Sequence, residues 1–413
     1  MAALLAVGGA YAIASFDWCG KWEAGPPLLV EGAWSKAPLN AGSAREEISV
    51  PWPVTVAGYG PRDRSQASRA NHPVAAQALV LEAGGLTVAL VGIDLLEVPQ
   101  VMVEKIRSGA GLDHTLVFAT HAHSSLGGFD ERPLAQLAGV GSYLPRDANA
   151  VIDAAVKAVK NARAAMKPAQ LASASGSEDW CWARSGTGCD KRVDRLAVTA
   201  LDGSTIGELW MMAGHPTLVP RRVETLDPDY PGIAALDRLD AGVTLVAQSL
   251  GGNAHAGTEN ATQFAKKVED VFTRLPLSEP RTEVSLGLAR VKVPLPHPDG
   301  SRLVPSISRA MATNFVCVSA DREAEVWALA LGDRTLLSVP VEPSYPSGLQ
   351  LEEAAQANRV LSLANGYLGY VETKEDAEGT KGESKRQYYT PQMFEQLRLG
   401  AALAGTAVRA GHR

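Results

Sequence analysis

The sequence predicts an α/β protein, a single large domain in which mixed β-sheets are flanked by helices. Segments with strand patterning alternate with segments of helical periodicity, and no change in composition marks a boundary between them. Hydrophobic residues make up 46% of the 413 residues, which is enough for a sizeable core. We therefore expect one continuous domain rather than two.

The first half of the chain carries a hairpin, two helices and a further strand. Residues 77–94 alternate and then become apolar around two glycines, which predicts a hairpin whose second strand is buried. Residues 98–111 have helical spacing and stop at a glycine, and residues 115–120 (TLVFAT) form the next strand. The clearest helix lies within residues 146–168, which are rich in alanine and end at a proline.

The second half continues the alternation. Hairpins are predicted at Asp202-Gly203 and Gly332-Asp333, a strand over 243–250, helices over 260–275 and 390–411, and an exposed alternating strand over 281–295.

Three regions are expected along the chain. Residues 1–20 form an apolar N-terminal anchor or partial signal segment, because residues 2–15 carry no charge yet are shorter than the ~20 residues that span a bilayer. The alternative is a buried N-terminal helix. Residues 21–47 are rich in Gly, Pro and Ala without a period and predict a linker or lead-in. Residues 48–413 form the functional domain.

Charge and cysteine content restrict the function. The net charge is −6, and the 39 basic residues form no stripe that would neutralise a phosphate backbone, so nucleic-acid binding is not expected. The four cysteines lack CxxC spacing for a structural zinc. Cys181 and Cys189 flank the loop CWARSGTGC and either form one disulfide or remain two thiols, while Cys317 is expected to be a small core residue.

Two histidines lie where the strand TLVFAT ends. His121 and His123 are two residues apart, so an extended chain directs both side chains to one face. A lone histidine in this position is usually a core residue, but a His-x-His pair followed by SSLGG makes a metal site as credible as a structural role. Ligands in α/β proteins are held at such strand ends.

Further nitrogen and oxygen donors occur at other predicted strand ends. His215 follows the apolar run ELWMMAG, Glu342 follows TLLSVPV, and Tyr367 and Tyr370 lie in LANGYLGYV. Each alone has an ordinary structural explanation: the glutamate could be a loop acid and the tyrosines core residues. Together they form a coherent set of candidate metal ligands.

The motifs resemble those of the neutral, non-lysosomal ceramidases. THAHSSLGG is similar to that family's THTHSGPGG element, and the other landmarks follow in the same order over about residues 50–400: GYGPRDRSQ, VALVGIDLLEV, CWARS, AGHPTL, VPVEPSYPSG and NGYLGYVETKE. The resemblance implies a ceramidase catalytic-domain-like fold, without the C-terminal immunoglobulin-like domain of the full-length enzymes.

The resemblance also implies a set of site residues. One Zn²⁺ would be held by His121, His215, Glu342 and Tyr370. His123 would contact the substrate near the reacting carbonyl.

Two more family positions have counterparts. Arg184 would orient the substrate, and Tyr388, in preference to Tyr389, would donate to the developing oxyanion. Asp94 at the end of its strand is a candidate for orienting a histidine.

One departure from the family bears on mechanism. The family's Gly-Asp-Val-Ser-Pro segment aligns with Gly252-Asn253-Ala254-His255-Ala256, so the serine hydroxyl is absent and His255 stands in its neighbourhood. Ser249 matches a different family serine and is a poor substitute. Water activated by the zinc ion would then be the nucleophile, with His255 as a base or hydrogen-bond partner.

The predicted function is zinc-dependent hydrolysis of an N-acyl amide, of ceramide or a ceramide-like amphipathic lipid. One alternative is a non-catalytic, membrane-tethered protein that binds zinc or lipid, and another is a zinc esterase or amidase with a different substrate. Zinc together with chelator-sensitive turnover would distinguish an enzyme from a binding protein. The expected location is periplasmic or extracellular, with membrane association through the N-terminal segment.

Overall fold

A computed structural model describes residues 16, 18–20, 22–60, 66–186, 188–222 and 224–411. The apolar residues 2–15 of the expected N-terminal anchor lie outside these described residues. Among the helices that are described, none combines the length and hydropathy needed to cross a bilayer.

The described chain forms 18 strands and nine helices, with short 3₁₀ and π turns between them. The strands, β1 to β18 in chain order, are Leu28–Glu47, Val54–Thr55, Gln66–Ala67, Ala75–Ala83, Leu86–Ile93, Thr115–Ala119, Lys167–Ser177, Cys181–Ala183, Arg192–Ala200, Thr205–Met212, Val243–Gln248, Ala254–Ala256, Glu283–Pro294, Glu323–Leu331, Arg334–Ser338, Glu342–Pro343, Arg359–Leu361 and Tyr370–Val371. The helices, α1 to α9, are Gln100–Ala110, Pro133–Ala135, Pro145–Ala164, Asp229–Asp237, Ala261–Arg274, Arg309–Cys317, Tyr345–Ala355, Lys374–Glu378 and Gln392–Ala410.

Twelve strands form one mixed sheet, and β1 lies at its centre. The order is β11-β10-β9-β7-β1-β13-β14-β15-β17, and β4, β5 and β6 extend from β1 on a second branch. The first part of β1 pairs antiparallel with β13 and its second part with β4. Three strand pairs of this sheet are parallel: β5 with β6, β10 with β11 and β15 with β17. The candidate site lies beyond the carboxyl ends of these strands.

The sheet folds back so that two parts of it pack face to face, and helices cover the outer face of each part. The described chain therefore has four layers. Strand side chains alternate between the two faces. One face is the inner core, with Leu79, Leu81, Leu90, Leu209, Leu245, Leu288 and Trp327. The outer faces pack on α1 and α3, on α4 and α5, and on α7 and α9. Burial on both faces explains why so many strands are apolar throughout.

Most predicted elements are confirmed, and the single α/β domain with a mixed sheet is correct. The three hairpins turn where expected, between β4 and β5, β9 and β10, and β14 and β15. The helix expected within 146–168 is α3, that within 260–275 is α5, and that within 390–411 is α9.

Two predictions about the edges of the core are wrong. Residues 21–47 are not a linker, because Leu28–Glu47 is the longest strand and pairs with three others. Its small residues obscure the alternation but suit a strand packed closely between neighbours. At Gly42, for example, an added Cβ would lie 2.1 Å from the Ala162 carbonyl oxygen. The strand over 281–295 is largely buried as β13, not exposed.

All four cysteines are in disulfides. Cys181 pairs with Cys189 across the loop, as one of the two alternatives anticipated. Cys317 is half-buried and pairs with Cys19, so the prediction of a small core residue is wrong. Sequence reasoning could not find this pair because its members are 298 positions apart. The bond ties the N-terminal part of the described chain to the end of α6.

The inner core gives a direct test of the layered packing. Leu79 is 1% exposed between the two sheet layers, whereas Leu201 is 60% exposed at the β9–β10 turn. Leu79→Ala should lower the free energy of unfolding by about 2–5 kcal/mol because it leaves a cavity. Leu201→Ala is the matched control and should change it by less than about 0.5 kcal/mol. Urea unfolding measures both, and equal effects would contradict the assignment of this core.

Candidate metal centre

His121 and His215 are fixed by backbone carbonyl groups so that their Nε2 atoms face each other. His121 follows β6, and its Nδ1 donates to the Leu96 carbonyl oxygen at 2.7 Å. His215 follows β10, and its Nδ1 donates to the Gly251 oxygen at 2.9 Å. A carbonyl can only accept, so each Nδ1 bears a hydrogen, and in the neutral ring Nε2 presents a lone pair. The two Nε2 atoms are 3.2 Å apart.

The backbone at His121 is unusual. Its φ is +69°, a left-handed conformation that costs a non-glycine residue free energy and that clusters at functional sites. This turn directs the ring toward His215 rather than along the continuation of β6.

Glu342 adds a carboxylate to the same point. It lies in β16, which pairs with β18 so that Glu342 and Tyr370 are direct neighbours. Its Oε1 accepts a hydrogen bond from the Tyr367 hydroxyl at 2.5 Å. Its Oε2 is buried without a hydrogen-bond donor and lies 3.1 Å from Nε2 of His121 and 3.2 Å from Nε2 of His215.

These distances would describe ion pairs only if an imidazole were protonated. Burial lowers the pKa of His215 to about 4, and the positive charge of Arg184 adds to this effect. The His215 ring is therefore neutral at pH 7, and with His121 neutral as well, Oε2 of Glu342 faces two nitrogen lone pairs. Three electron-rich atoms at this separation repel one another unless a cation lies between them.

A zinc ion fits this donor set. Bonds of about 2.0–2.1 Å in a tetrahedral site place neighbouring ligand atoms about 3.3 Å apart. The atoms from His121, His215 and Glu342 are 3.1–3.2 Å apart, and the Tyr370 hydroxyl is 3.3 Å from Nε2 of His215. The four residues expected as ligands thus converge on one point, and their role as ligands stays a prediction.

His123 lies in the same cluster but has the opposite tautomer. The ring nitrogens of His121, His123 and His215 are close enough to hold a metal ion together, all within 4.8 Å. The backbone N–H of Tyr59, however, donates to Nδ1 of His123 at 3.4 Å. In the neutral ring Nε2 then bears the hydrogen, and burial keeps the ring neutral by lowering its pKa well below the usual value. His123 is therefore a hydrogen-bond donor at the site.

A cavity of about 760 Å³ opens onto this cluster. It is large enough for an amphipathic small molecule. Its polar lining includes His121, His123, Arg184, His255, Glu342, Tyr370 and Tyr388. Its apolar lining includes Leu96, Leu134, Ala135, Ala138, Val140 and Leu303. The cavity thus combines the polar groups of the cluster with apolar lining residues.

Arg184 is held rigidly beside the cluster. Its guanidinium donates to the Tyr370 hydroxyl and to the Gly252 oxygen, both at 2.8 Å, and to Glu383 at 3.0 Å. The Cys181–Cys189 disulfide closes the loop that carries it. The backbone at Gly252 packs closely on the backbone at Glu342, since a Cβ at Gly252 would lie 2.5 Å from the Glu342 backbone carbonyl oxygen.

Tyr388 and His255 complete the polar lining. Tyr388 is mostly buried, its ring lines the cavity, and no hydrogen bond from its hydroxyl is found among the described residues. Tyr389 instead donates to the Asp321 oxygen at 2.6 Å and is not in the lining. His255 is half-buried in β12, with its ring 5.4 Å from that of Trp182. Burial, with the charge of Arg184, lowers its pKa below the ordinary value.

Asp94, proposed from the sequence, and Ser249, judged a poor substitute for the missing serine, have no direct part in the site. Asp94 does not orient a histidine, because backbone carbonyls hold both rings; its Oδ2 accepts from the Ala75 N–H at 3.0 Å. Ser249 is fully buried and does not line the cavity.

The structure also adds supporting residues that the sequence did not indicate. Arg132 pairs with Glu97 at 2.7 Å, and both line the cavity. Arg132 also donates to the backbone oxygen of Tyr367 at 2.9 Å, and the hydroxyl of Tyr367 in turn donates to Glu342. Glu383 holds Arg184. The run FDERP after the glycines of the histidine motif is the signal that could have pointed to Arg132.

The fold and this cluster together define an α/β protein with a cavity suited to a bound metal ion. No family model matches the chain, and no curated protein matches it by sequence.

Solved structures do match. Neutral ceramidase from Pseudomonas aeruginosa superposes with a TM-score of 0.77 over 90% of this chain and 75% of that chain, at 17% identity. A ceramidase described as complexed with C2 gives 0.78 over 91% and 76%, also at 17% identity. The resemblance indicated by the motifs is thus confirmed, and the chain has the neutral ceramidase fold.

Metal content tests the tautomer assignment. His121→Ala and His215→Ala should each weaken zinc binding by more than the roughly 100-fold that a residue outside the ligand set can cost. His123→Ala should retain near-stoichiometric zinc, because its Nε2 bears a hydrogen. Elemental analysis after dialysis against a weak chelator measures this, with His114→Ala, whose ring pairs with Glu31, as the control. Equal zinc loss in all three cluster variants would contradict the assignment.

Proposed function

We propose that this protein is a zinc-dependent hydrolase that cleaves an N-acyl amide, such as ceramide or a ceramide-like lipid. The observation that carries the proposal is the meeting of two imidazole Nε2 atoms and an unpartnered buried carboxylate oxygen beside a cavity. His121, His215, Glu342 and Tyr370 would hold the ion. The ceramidase fold agrees with this activity.

The side chains around the cluster suit hydrolysis of a carbonyl compound. When bound, zinc would polarise the carbonyl and lower the pKa of a water enough to supply a nucleophile at neutral pH. His123, whose Nε2–H points into the cluster, and Tyr388 would donate hydrogen bonds to the oxyanion. Arg184 would orient the polar end of the substrate.

His255 would replace the missing serine as a proton carrier. No hydroxyl occurs in the stretch Gly252–Ala256, so an attack by serine there is not available. The imidazole of His255 lines the cavity and has a lowered pKa, which keeps it neutral at pH 7 and able to accept a proton. It would pass that proton to the leaving nitrogen.

The cavity supports an amphipathic substrate. The apolar lining residues, such as Leu134 and Leu303, would contact an acyl chain, while the scissile bond would lie at the cluster. An ester would fit the same arrangement, since it differs from the amide only in the leaving group.

The absent serine favours one other candidate function, a membrane-tethered protein that binds zinc and lipid without turnover. The oriented Arg184 and the Tyr388 hydroxyl argue for the enzyme, since binding of zinc and lipid alone requires neither.

The protein is proposed to act outside the cytoplasm, in the periplasm or the exterior. Both described disulfides suit an oxidising compartment. Membrane association is also proposed.

The central experiment measures zinc and turnover on the same preparation. The purified full chain should contain one zinc ion and hydrolyse fluorogenic N-acyl amides, and a chelator should abolish turnover until zinc is restored. Tyr388→Phe should lower kcat about 100-fold with zinc content unchanged. Zinc without turnover on any amide or matched ester would overturn the enzyme proposal in favour of the binding protein.

The role of His255 has its own test. His255→Ala and His255→Ser should each lower kcat about 100-fold, because both remove the imidazole. Zinc content and melting temperature should not change, and His114→Ala is the control. If His255→Ser instead raised turnover, a hydroxyl rather than an imidazole would be the group that this position needs.

A further inference from the structure

Arg184 and Arg386 share a single carboxylate beside the ligand cluster. Both line the cavity, and both pair with the buried Glu383, Arg184 at 3.0 Å and Arg386 at 3.2 Å. Glu372 accepts from the backbone N–H of Glu383 at 2.7 Å and forms no ion pair with an arginine among the described residues. Glu342 faces the imidazoles of the cluster. Two guanidinium groups and one carboxylate therefore leave an excess of positive charge in this part of the lining.

Both guanidinium groups also keep hydrogen-bond donors that the described residues do not use. Arg184 donates through Nε to Glu383 and through Nη2 to the Gly252 oxygen and the Tyr370 hydroxyl, which leaves Nη1. Arg386 contacts Glu383 through Nη1 alone, and its side chain is 57% exposed, which leaves Nε and Nη2. Donors of this kind match the planar oxygens of a carboxylate or the oxygens of a phosphate.

These donors lie next to the proposed reaction centre. The guanidinium carbons of Arg184 and Arg386 are each 5.5 Å from the ring centroid of Tyr370. The Tyr370 hydroxyl is in turn 3.3 Å from Nε2 of His215. In an N-acyl α-amino acid, only the nitrogen and one carbon separate the carboxylate from the amide carbonyl. A carbonyl at the cluster would therefore place such a carboxylate near the two arginines.

Arg132 also lines the cavity but differs in its charge balance. It pairs with Glu97 and Asp130, both at 2.7 Å, and with Asp321 at 3.3 Å. Three carboxylates surround this single guanidinium group. Arg132 therefore offers an anionic ligand no excess of positive charge, unlike Arg184 and Arg386.

We propose that Arg184 and Arg386 bind an anionic group on the leaving half of the substrate. The preferred substrates are then N-acyl amines that carry a carboxylate or a phosphate close to the amide, with N-acyl amino acids as the carboxylate case. This substrate preference rests on the proposed hydrolase function, whereas the binding of the anionic group does not. A neutral N-acyl amine would use neither positive charge.

Binding is tested on the full chain with sulfonamide analogues, which resist hydrolysis. N-dodecanesulfonylglycine carries the carboxylate, N-dodecanesulfonyl-phosphoethanolamine carries a phosphate, and N-dodecanesulfonylethanolamine is the neutral reference. Isothermal titration calorimetry should show at least one acidic analogue binding about tenfold more tightly than the neutral one, because charged hydrogen bonds form only with the acidic group. Tighter binding of the glycine analogue would identify a carboxylate as the preferred anion, and tighter binding of the phosphoethanolamine analogue a phosphate.

Arg386→Gln tests the assignment to these residues. It should reduce the preference for the acidic analogue from about tenfold to about twofold, because it removes one of the two guanidinium groups. Lys385→Gln is the matched control, since Lys385 is the exposed neighbour, carries the same charge and does not line the cavity. This control should keep the full preference, and both variants should keep the melting temperature of the native chain.

Hydrolysis separates the anion site from the proposed enzyme. The native chain should cleave N-dodecanoylglycine or N-dodecanoyl-phosphoethanolamine with a kcat/KM about tenfold above that for N-dodecanoylethanolamine, and Arg386→Gln should reduce this ratio. An Arg386-dependent preference in binding without hydrolysis of any of these amides would support the anion site and overturn only the proposed hydrolase.

Three results would overturn the anion site. The first is equal affinity of the native chain for the acidic and neutral analogues. The second is a preference that survives Arg386→Gln. The third is an equal loss of preference in Lys385→Gln, since the preference would then reflect only the overall charge of the chain.

Discussion

The site depends on a repulsion that the fold enforces. Two backbone carbonyls fix Nδ1 of His121 and His215 as donors, and strand pairing places Glu342 opposite them, so that two imidazole Nε2 atoms and a carboxylate oxygen meet at 3.1–3.2 Å. A cation held between these atoms would relieve their repulsion. Binding of a metal ion here would be linked to folding, because the ion would stabilise only the state in which these atoms meet.

The surrounding polar network prevents the ligands from relaxing apart. Tyr367 holds one oxygen of Glu342, and Arg132 holds the backbone of Tyr367. Arg184 holds the hydroxyl of Tyr370. Arg132 and Arg184 are in turn each paired with a carboxylate, Glu97 and Glu383 respectively. Such fixed groups need little reorganisation when charge develops on a substrate.

Packing on both faces of the sheet explains which parts of the fold the sequence predicted. Hairpins with glycine turns and long alanine-rich helices were predicted because their signals are local. The strand β1 was missed because its alternation is hidden by Gly, Ala and Pro, which suit close approach between neighbours. The Cys19–Cys317 bond was missed because no local pattern relates residues so far apart.

The sequence by itself determined which candidate ligand side chains are present: a His-x-His pair, a further histidine, a glutamate and tyrosines. Each follows an apolar run, and they occur in the order found in the neutral ceramidases. Only the tertiary structure decided how they are used. The Tyr59 N–H makes His123 a donor, Leu96 and Gly251 make its neighbours acceptors, and Asp94 is excluded. Tautomers and hydrogen-bond partners depend on atoms from distant segments, and these become neighbours only when the sheet is complete.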